Sequence, residues 1–418
     1  MTTIPYPADD GRGAGRPERL HAGTTRSAPG NTSRARWHME AEARALVLVT
    51  VVLVVFGLAV LLSASSFQAR SAYAYGYRQA IGVLLGIVVF AVAAKVDAEW
   101  WRRLAWPIMG VSLFLMLLTV LPFTESIVPE KNGSRRFLFG GSMQPSELAK
   151  FAVLVWVPML LVKKGDAVRR LGKGLLPFIA VIGALVVMAL IEPDISVAMT
   201  FCVVMGVLLF VGGARVAHFV FLGMLAIPLL VHEVKTSGYA NARWESFWKG
   251  EQSDTTGITV SRISGQQNQS LIAVGSGGVL GVGYAEGNQQ RGWLPLAYND
   301  FIGSVVGEEF GFVGIAFLTL MFALYGWIGF RIARDARTAF TSLLAVGLTF
   351  TTVLTAFTHI GVVIALLPNT GLTLPFVSYG RSNLVLTLLM TGILVNIGSS
   401  RERVYGEAAT DPLTSPQA

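Results

Sequence analysis

With 418 residues, 53% of them hydrophobic and only 14% charged, the chain lacks the polar surface of a soluble protein of its size, in which charged residues run near 25%. Its net charge of +8 is not a nucleic-acid footprint, because Lys and Arg fall in short clusters between apolar runs, the pattern that membrane topology produces. The single cysteine, Cys202, excludes an intramolecular disulfide, and the five scattered histidines have no metal-ligand spacing.

Residues 1–43 are polar and rich in Gly, Pro, Ser, Thr and Arg, which predicts a disordered tail. The apolar run that follows is too long for a signal-peptide core and reads as a retained anchor. Apolar runs of membrane-spanning length then recur near 45–63, 79–96, 104–122, 147–162, 175–192, 195–212, 216–232, 311–330, 339–358 and 382–398. The expectation is an all-α polytopic membrane protein. A bundle of ten transmembrane helices fills 44–400, a large loop at 233–300 separates spans seven and eight, and 401–418 forms a second tail.

Charge sets the expected orientation. One set of loops carries Arg12 to Arg44, Lys95, Arg102, Arg103, Lys163, Lys164, Arg169, Arg170, Lys173, Arg215, Arg331, Arg334, Arg337, Arg401 and Arg403. The short loops of the other set carry only Arg70, Arg78, Lys131, Arg135 and Arg136. The positive-inside rule therefore places both termini in the cytoplasm and the large loop outside.

On this topology the unusual polar and Gly/Pro-rich stretches share the outer side. They are Lys131-Asn-Gly-Ser-Arg-Arg136, Gln144-Pro-Ser-Glu-Leu-Ala-Lys150, Glu192-Pro-Asp194, the 233–310 region and the stretch from Leu367 to Arg381. Charges near span edges are costly. Lys150, Glu308, Glu309 and Arg381 thus suggest a polar cavity opening outward, although interfacial snorkelling or structural pairing accounts for each taken singly. Asp300 stands out. If a helix begins there, Asp300, Ser304 and Glu308 share a face, and a carboxylate at a partly dry interface suits a general base. The same spacing also fits a plain helix cap at Asn299 or Asp300. Glu192-Pro193-Asp194 is ordinary turn chemistry, and Arg135 and Arg136 suit either a phosphate or lipid headgroups. Trp244, Phe247, Trp248 and Trp293 fit a sugar site or, more commonly, the membrane interface. Gly275-Ser-Gly-Gly-Val-Leu-Gly281 lacks the strand–turn–helix context of a dinucleotide site, so its glycines are expected to permit turns or close approach.

Outside a bacterial membrane no ATP is supplied, so an enzyme there needs a pre-activated donor such as a sugar on a polyprenyl pyrophosphate. A carboxylate takes the acceptor proton, and cations, or a metal ion such as Mg2+ or Mn2+, stabilise the leaving pyrophosphate. Asp300 fits the first role. Lys150, Arg135, Arg136, Arg243 and Arg381 are candidates for the second, and Glu308 for the substrate surface; no protein metal site is assigned.

Several blocks, in order, resemble the SEDS family of FtsW, RodA and SpoVE over roughly 42–400. They are Tyr77-Arg-Gln-Ala with Asp97-Ala-Glu-Trp-Trp-Arg, Asn132-Gly-Ser-Arg-Arg-Phe with Gln144-Pro-Ser-Glu-Leu-Ala-Lys, and Glu192-Pro-Asp-Ile-Ser. Further along come Gln269-Ser-Leu-Ile-Ala-Val-Gly-Ser-Gly-Gly, Asn299-Asp-Phe-Ile with Gly307-Glu-Glu-Phe-Gly, and Leu374-Pro-Phe-Val-Ser-Tyr-Gly. The resemblance implies a peptidoglycan glycosyltransferase acting on lipid II, with Asp300 catalytic. It implies a class B penicillin-binding protein and other divisome proteins as partners, and a place in the bacterial inner membrane. The polar N-terminal segment and Thr370-Gly-Leu-Thr-Leu-Pro favour the septal, FtsW-like branch. Departures from the family pattern stand at Phe137, Leu296, Asn299, Gly303, His359 and Arg381. Topology alone also admits a lipid II flippase and a non-catalytic scaffold for a transpeptidase.

Overall fold

The computed structural model describes residues 40–66, 73–121, 124, 128, 136–138, 144–236, 241, 247 and 262–410. Helices account for its regular structure, and no β-strand occurs among the described residues. This is the expected architecture for apolar chain in lipid, where backbone polar groups must be satisfied within each segment.

In chain order the helices are α1 (Ala41–Ser65), α2 (Tyr73–Lys95), α3 (Ala98–Val120), α4 (Pro145–Lys164), α5 (Leu176–Ile191) and α6 (Ile195–Val211). They continue with α7 (Val216–Thr236), α8 (Arg262–Gly277), α9 (Ile302–Glu309), α10 (Gly311–Arg334), α11 (Ala339–Val363) and α12 (Arg381–Thr410). Among the described residues, nine helical stretches are long and apolar enough to cross a membrane. Each overlaps an expected run. The remaining run forms α6, whose 17 residues extend only about 25 Å at 1.5 Å per residue. Helix α12 passes the expected boundary at 400 and reaches Thr410, through a stretch rich in the helix formers Arg, Glu and Ala.

Local signals start several helices. Asp97 accepts from Glu99 N–H at the head of α3, and Thr338 and Thr341 form a reciprocal capping box at the head of α11. Pro145 stands in the first turn of α4, where its missing N–H is harmless. Helix α4 is the hub, with 83% of its apolar window buried, whereas only 6% of α7's is. The buried Trp156 of α4 meets Trp106 of α3 at 5.3 Å and Phe178 of α5 at 5.8 Å, both edge-on. Helices α2 and α12 pack through glycine: a Cβ at Gly392 would lie 2.6 Å from the Phe90 carbonyl oxygen. Small residues at such crossings let membrane helices approach closely.

The bundle has two chemically different ends. At one, Glu42 pairs with Arg331 at 2.9 Å, and Thr338 donates to Glu99 at 2.8 Å. Asn396 bridges the α2–α3 junction there, accepting from Ala98 N–H and donating to the Ala94 carbonyl. This end joins the elements whose loops are the basic set. The unusual motifs among the described residues gather at the other end.

Candidate functional site

Asp300 closes a turn. The Leu296 carbonyl accepts from both Asn299 N–H at 2.9 Å and Asp300 N–H at 3.1 Å. Leu296 adopts φ +57°, a left-handed conformation unfavourable to a side chain, so the turn is held against local preference. Asn299 Nδ2 donates to Asp300 Oδ1 at 2.9 Å. The helix expected at Asp300 instead begins at Ile302, and its cap position falls to Phe301, which makes no side-chain cap. Asp300 is half-buried ahead of α9.

The segment from Ile364 to Gly380 grips this turn. Ser378 Oγ donates to the Asn299 carbonyl at 2.7 Å, and Tyr379 N–H donates to the Tyr298 carbonyl at 3.0 Å. Gln79 of α2 then holds the segment from outside: its Nε2 donates to the Ser378 carbonyl at 3.1 Å, and its Oε1 accepts from Gly380 N–H at 3.2 Å. Three motifs far apart in sequence thus meet beside Asp300. Tyr75, Tyr298 and Tyr379 cluster there, with ring centroids 4.6 to 5.8 Å apart. Burial, then the hydrogen bond with Tyr75 and the nearby Tyr75, Tyr379 and Asp300, push the Tyr298 phenol well above its usual pKa. It therefore keeps its proton beside the carboxylate.

Glu308 and Glu309 fasten the loop that leads to Asp300. Both oxygens of Glu308 accept backbone N–H groups, from Asn288 at 2.7 Å and from Gln289 at 3.1 and 3.2 Å. Glu309 Oε1 accepts from Ser63 Oγ, from Gln290 Nε2 at 2.8 Å and from Ala285 N–H at 3.1 Å. Its burial outweighs these bonds and raises its pKa. The glycine-rich stretch makes the close approach expected of it. A Cβ at Gly277 would lie 2.0 Å from the Gly307 carbonyl oxygen, and one at Gly281 equally close to that of Glu309. The crossing loop also explains why α9 and α10 are separate. Phe312 and Val313 donate their N–H groups to the Gly278 and Val279 carbonyls, and Gly311, the first residue of α10, takes φ +64°.

Arg136 holds the turn between α5 and α6. It donates to the carbonyls of Glu192 at 3.1 Å and Pro193 at 2.5 Å, and pairs with Asp194 at 3.3 Å. Asp194 also caps α6 by accepting from Val197 N–H. Burial pushes the pKa of Glu192 up to about 8, against the opposing hydrogen bond from Thr119. Ser196 Oγ donates to the Thr370 carbonyl at 2.5 Å, joining this turn to the 364–380 segment.

Lys150 pairs with Glu147 at 2.7 Å. The pair lines a cavity of about 20 Å3 with Thr351, Thr352, Asn383 and Thr387, room for a water molecule. Arg381 opens α12, its stem against Gly82 of α2. Arg135, Arg243, Lys131, Trp244 and Trp248 lie outside the described residues. Trp293 is largely exposed. Among the described residues no three His, Cys, Asp or Glu side chains converge as a metal cage. Nothing in the sequence singles out Gln79, Tyr75, Tyr298 or Ser378 individually. Their only local signal was membership of a polar block near an apolar run.

A family model described as "Cell cycle protein", for FtsW, RodA and SpoVE, matches residues 43–403. The "Probable peptidoglycan glycosyltransferase FtsW" of Geobacter sulfurreducens is 37% identical over 81% of this chain and 90% of its own length. "Stage V sporulation protein E" of Bacillus subtilis is 32% identical over 80% of this chain and 89% of its own. Among solved structures, a chain from "Structural coordination of polymerization and crosslinking by a peptidoglycan synthase complex" superposes with a TM-score of 0.68 at 24% identity, covering 85% of this chain and 97% of that one. The ordered blocks read from the sequence, the polytopic helical bundle and these matches agree: the chain belongs to the FtsW/RodA/SpoVE family.

Proposed function

We propose that this protein is a peptidoglycan glycosyltransferase that polymerises lipid II on the outer face of the bacterial inner membrane. The observation that carries the reading is the placement of Asp300. The carboxylate sits half-buried in a turn held by Asn299, Ser378 and Tyr379, with a protonated phenol beside it. Fixed carboxylates of this kind suit proton abstraction from an acceptor hydroxyl. As the hydroxyl oxygen bonds to the anomeric carbon, its proton passes to Asp300. The anomeric carbon–oxygen bond to pyrophosphate breaks, and undecaprenyl pyrophosphate departs. Of the candidate cations named from the sequence that the structure describes, Arg136 and Lys150 are paired within the fold, and Arg381 is assigned to the departing charge. A divalent ion such as Mg2+ or Mn2+ keeps several waters and needs only one or two carboxylates when phosphate supplies other ligands. Such an ion, held chiefly by the pyrophosphate and water, would neutralise the leaving group while Asp300 keeps its role as the base.

The reading includes ten crossings, cytoplasmic tails at 1–43 and 401–418, and an external loop at 233–300. The relatives' names support septal deployment. The synthase-complex neighbour supports a class B penicillin-binding protein as partner, with other divisome proteins around it. The test is polymerisation of labelled lipid II by the purified full-length chain with its transpeptidase, comparing wild type with Asp300→Asn. Polymer from wild type alone, with the variant folded and partner-bound, supports the reading. Equal polymer from both removes Asp300 from its centre, and none from either favours a flippase or scaffold.

A further inference from the structure

Helix α9 starts without a local cap, since Phe301 offers no side-chain acceptor. The first N–H groups of a helix have no intrahelical partners and need acceptors from elsewhere. One of them is met from another helix. Gly303 N–H donates to Nε2 of His359, on α11, at 3.3 Å. A ring nitrogen that accepts carries no proton, so the proton of the neutral ring is on Nδ1. Nδ1 lies 2.8 Å from the Leu372 carbonyl oxygen and donates to it. Both nitrogens are thereby engaged in one tautomer, and the residue is 1% exposed. The ring joins α11, the first turn of α9 and the 364–380 segment.

Position 303 has to be small for this arrangement. A Cβ there would lie 3.3 Å from both Cδ2 and Nε2 of His359 and 3.0 Å from Cγ2 of Val363. These distances are tighter than ordinary van der Waals contact. Gly303 and His359 are therefore a matched pair, the ring occupying space that a larger residue at 303 would need.

We infer that His359 is a positioning residue for Asp300. It caps α9 from outside that helix and ties the cap to the segment that also grips the turn. The chain around Asp300 is then held on both sides: at the Tyr298 and Asn299 carbonyls by Tyr379 and Ser378, and at Gly303 N–H by His359. The inference rests on the reading of Asp300 as the general base. Misplacing a reacting group by about 1 Å lowers turnover roughly 100-fold, so the cap should be felt in kcat.

Asn and Gln separate the two ring nitrogens, because an Asn amide reaches about as far as Nδ1 and a Gln amide about as far as Nε2. The full-length variants His359→Gln, His359→Asn and His359→Ala are compared with wild type and Asp300→Asn. The readouts are lipid II polymerisation and backbone hydrogen exchange of the 299–309 segment. His359→Asn and His359→Ala should lower kcat about 10- to 100-fold with KM within about twofold, and should speed exchange at 302–305. His359→Gln, which keeps an acceptor for Gly303, should retain most of kcat and of the protection. Wild-type kcat in His359→Asn, or unchanged exchange in His359→Ala, overturns the inference. Exchange requires no turnover, so it decides the cap even if wild type makes no polymer and the general-base reading fails. Thermal unfolding of each variant separates loss of position from loss of fold.

Discussion

The Ser378 hydroxyl donates to the Asn299 carbonyl at 2.7 Å while accepting from Leu374 N–H at 2.8 Å. One buried side chain thus shapes its own segment and fixes the residue before Asp300. Ser378→Ala leaves a buried N–H and a carbonyl without this partner, a penalty of about 1–3 kcal/mol for an unsatisfied buried group. The expected result is a clear fall in kcat for polymerisation, KM little changed, and a lower thermal midpoint. Unchanged kcat at a lowered midpoint would assign Ser378 to stability alone.

Arg381 follows Gly380, whose N–H is clamped by Gln79, so its backbone has a fixed origin close to the turn. Arg381→Ala should slow polymerisation about tenfold, the effect of losing one charge-assisted hydrogen bond to the leaving phosphate. Arg381→Lys should recover part of it, because the charge remains and the bidentate geometry does not. Rates measured across ionic strength check the assignment. A variant as fast as wild type at every salt concentration would remove Arg381 from the leaving-group site.

Much of the architecture was legible because membrane crossing depends on local composition. A run such as 45–63 announces α1 whatever it packs against, and the run at 147–162 announces α4. The break between α9 and α10 was not legible. Glu309-Phe-Gly-Phe looks continuous with the following apolar run, and it breaks because the 278–283 loop crosses it through backbone hydrogen bonds. Asp300 was visible as an unusual carboxylate, but its supports were not. Ser378, Gln79 and His359 reach the turn or its clamp across 79, 301 and 56 residues of sequence respectively. No periodicity or spacing connects residues so far apart. The same limit applies to Glu308, whose backbone N–H donors at Asn288 and Gln289 lie about 20 residues away in the sequence and are signalled by no spacing.

That loop supplies a stringent test of backbone packing. Gly281 takes φ +83°, and a Cβ there would lie 2.0 Å from the Glu309 carbonyl oxygen. Gly281→Ala meets both a disfavoured conformation and a backbone clash that no side-chain rotation relieves. It should lower the thermal midpoint and speed hydrogen exchange across 278–300, with loss of polymerisation following from the displaced Asp300 turn. Gly275→Ala is the control, since nothing lies within 4 Å of its Cβ position, and it should leave all three readouts near wild type.

Glu192 gives the fold a pH dependence whose sign is fixed by its burial. Burial raises its pKa from 4.5 to about 8, the Thr119 hydrogen bond and Arg136 opposing and Asp194 assisting. The folded protein therefore holds this proton more tightly than the unfolded chain does. By linkage, the group's favourable contribution is complete below about pH 4.5 and declines as pH rises through the interval up to about 8. At neutral pH the neutral Glu192 leaves Asp194 as the charged partner of Arg136. Glu192→Gln keeps the neutral shape and removes the titration. Thermal midpoints of wild type should fall from pH 6 to pH 9 more steeply than those of Glu192→Gln, with the two closest at the acidic end. Parallel curves would show that Glu192 ionises in the folded protein much as it does in the unfolded chain, and that the turn between α5 and α6 is held by Arg136 and Asp194 without its proton.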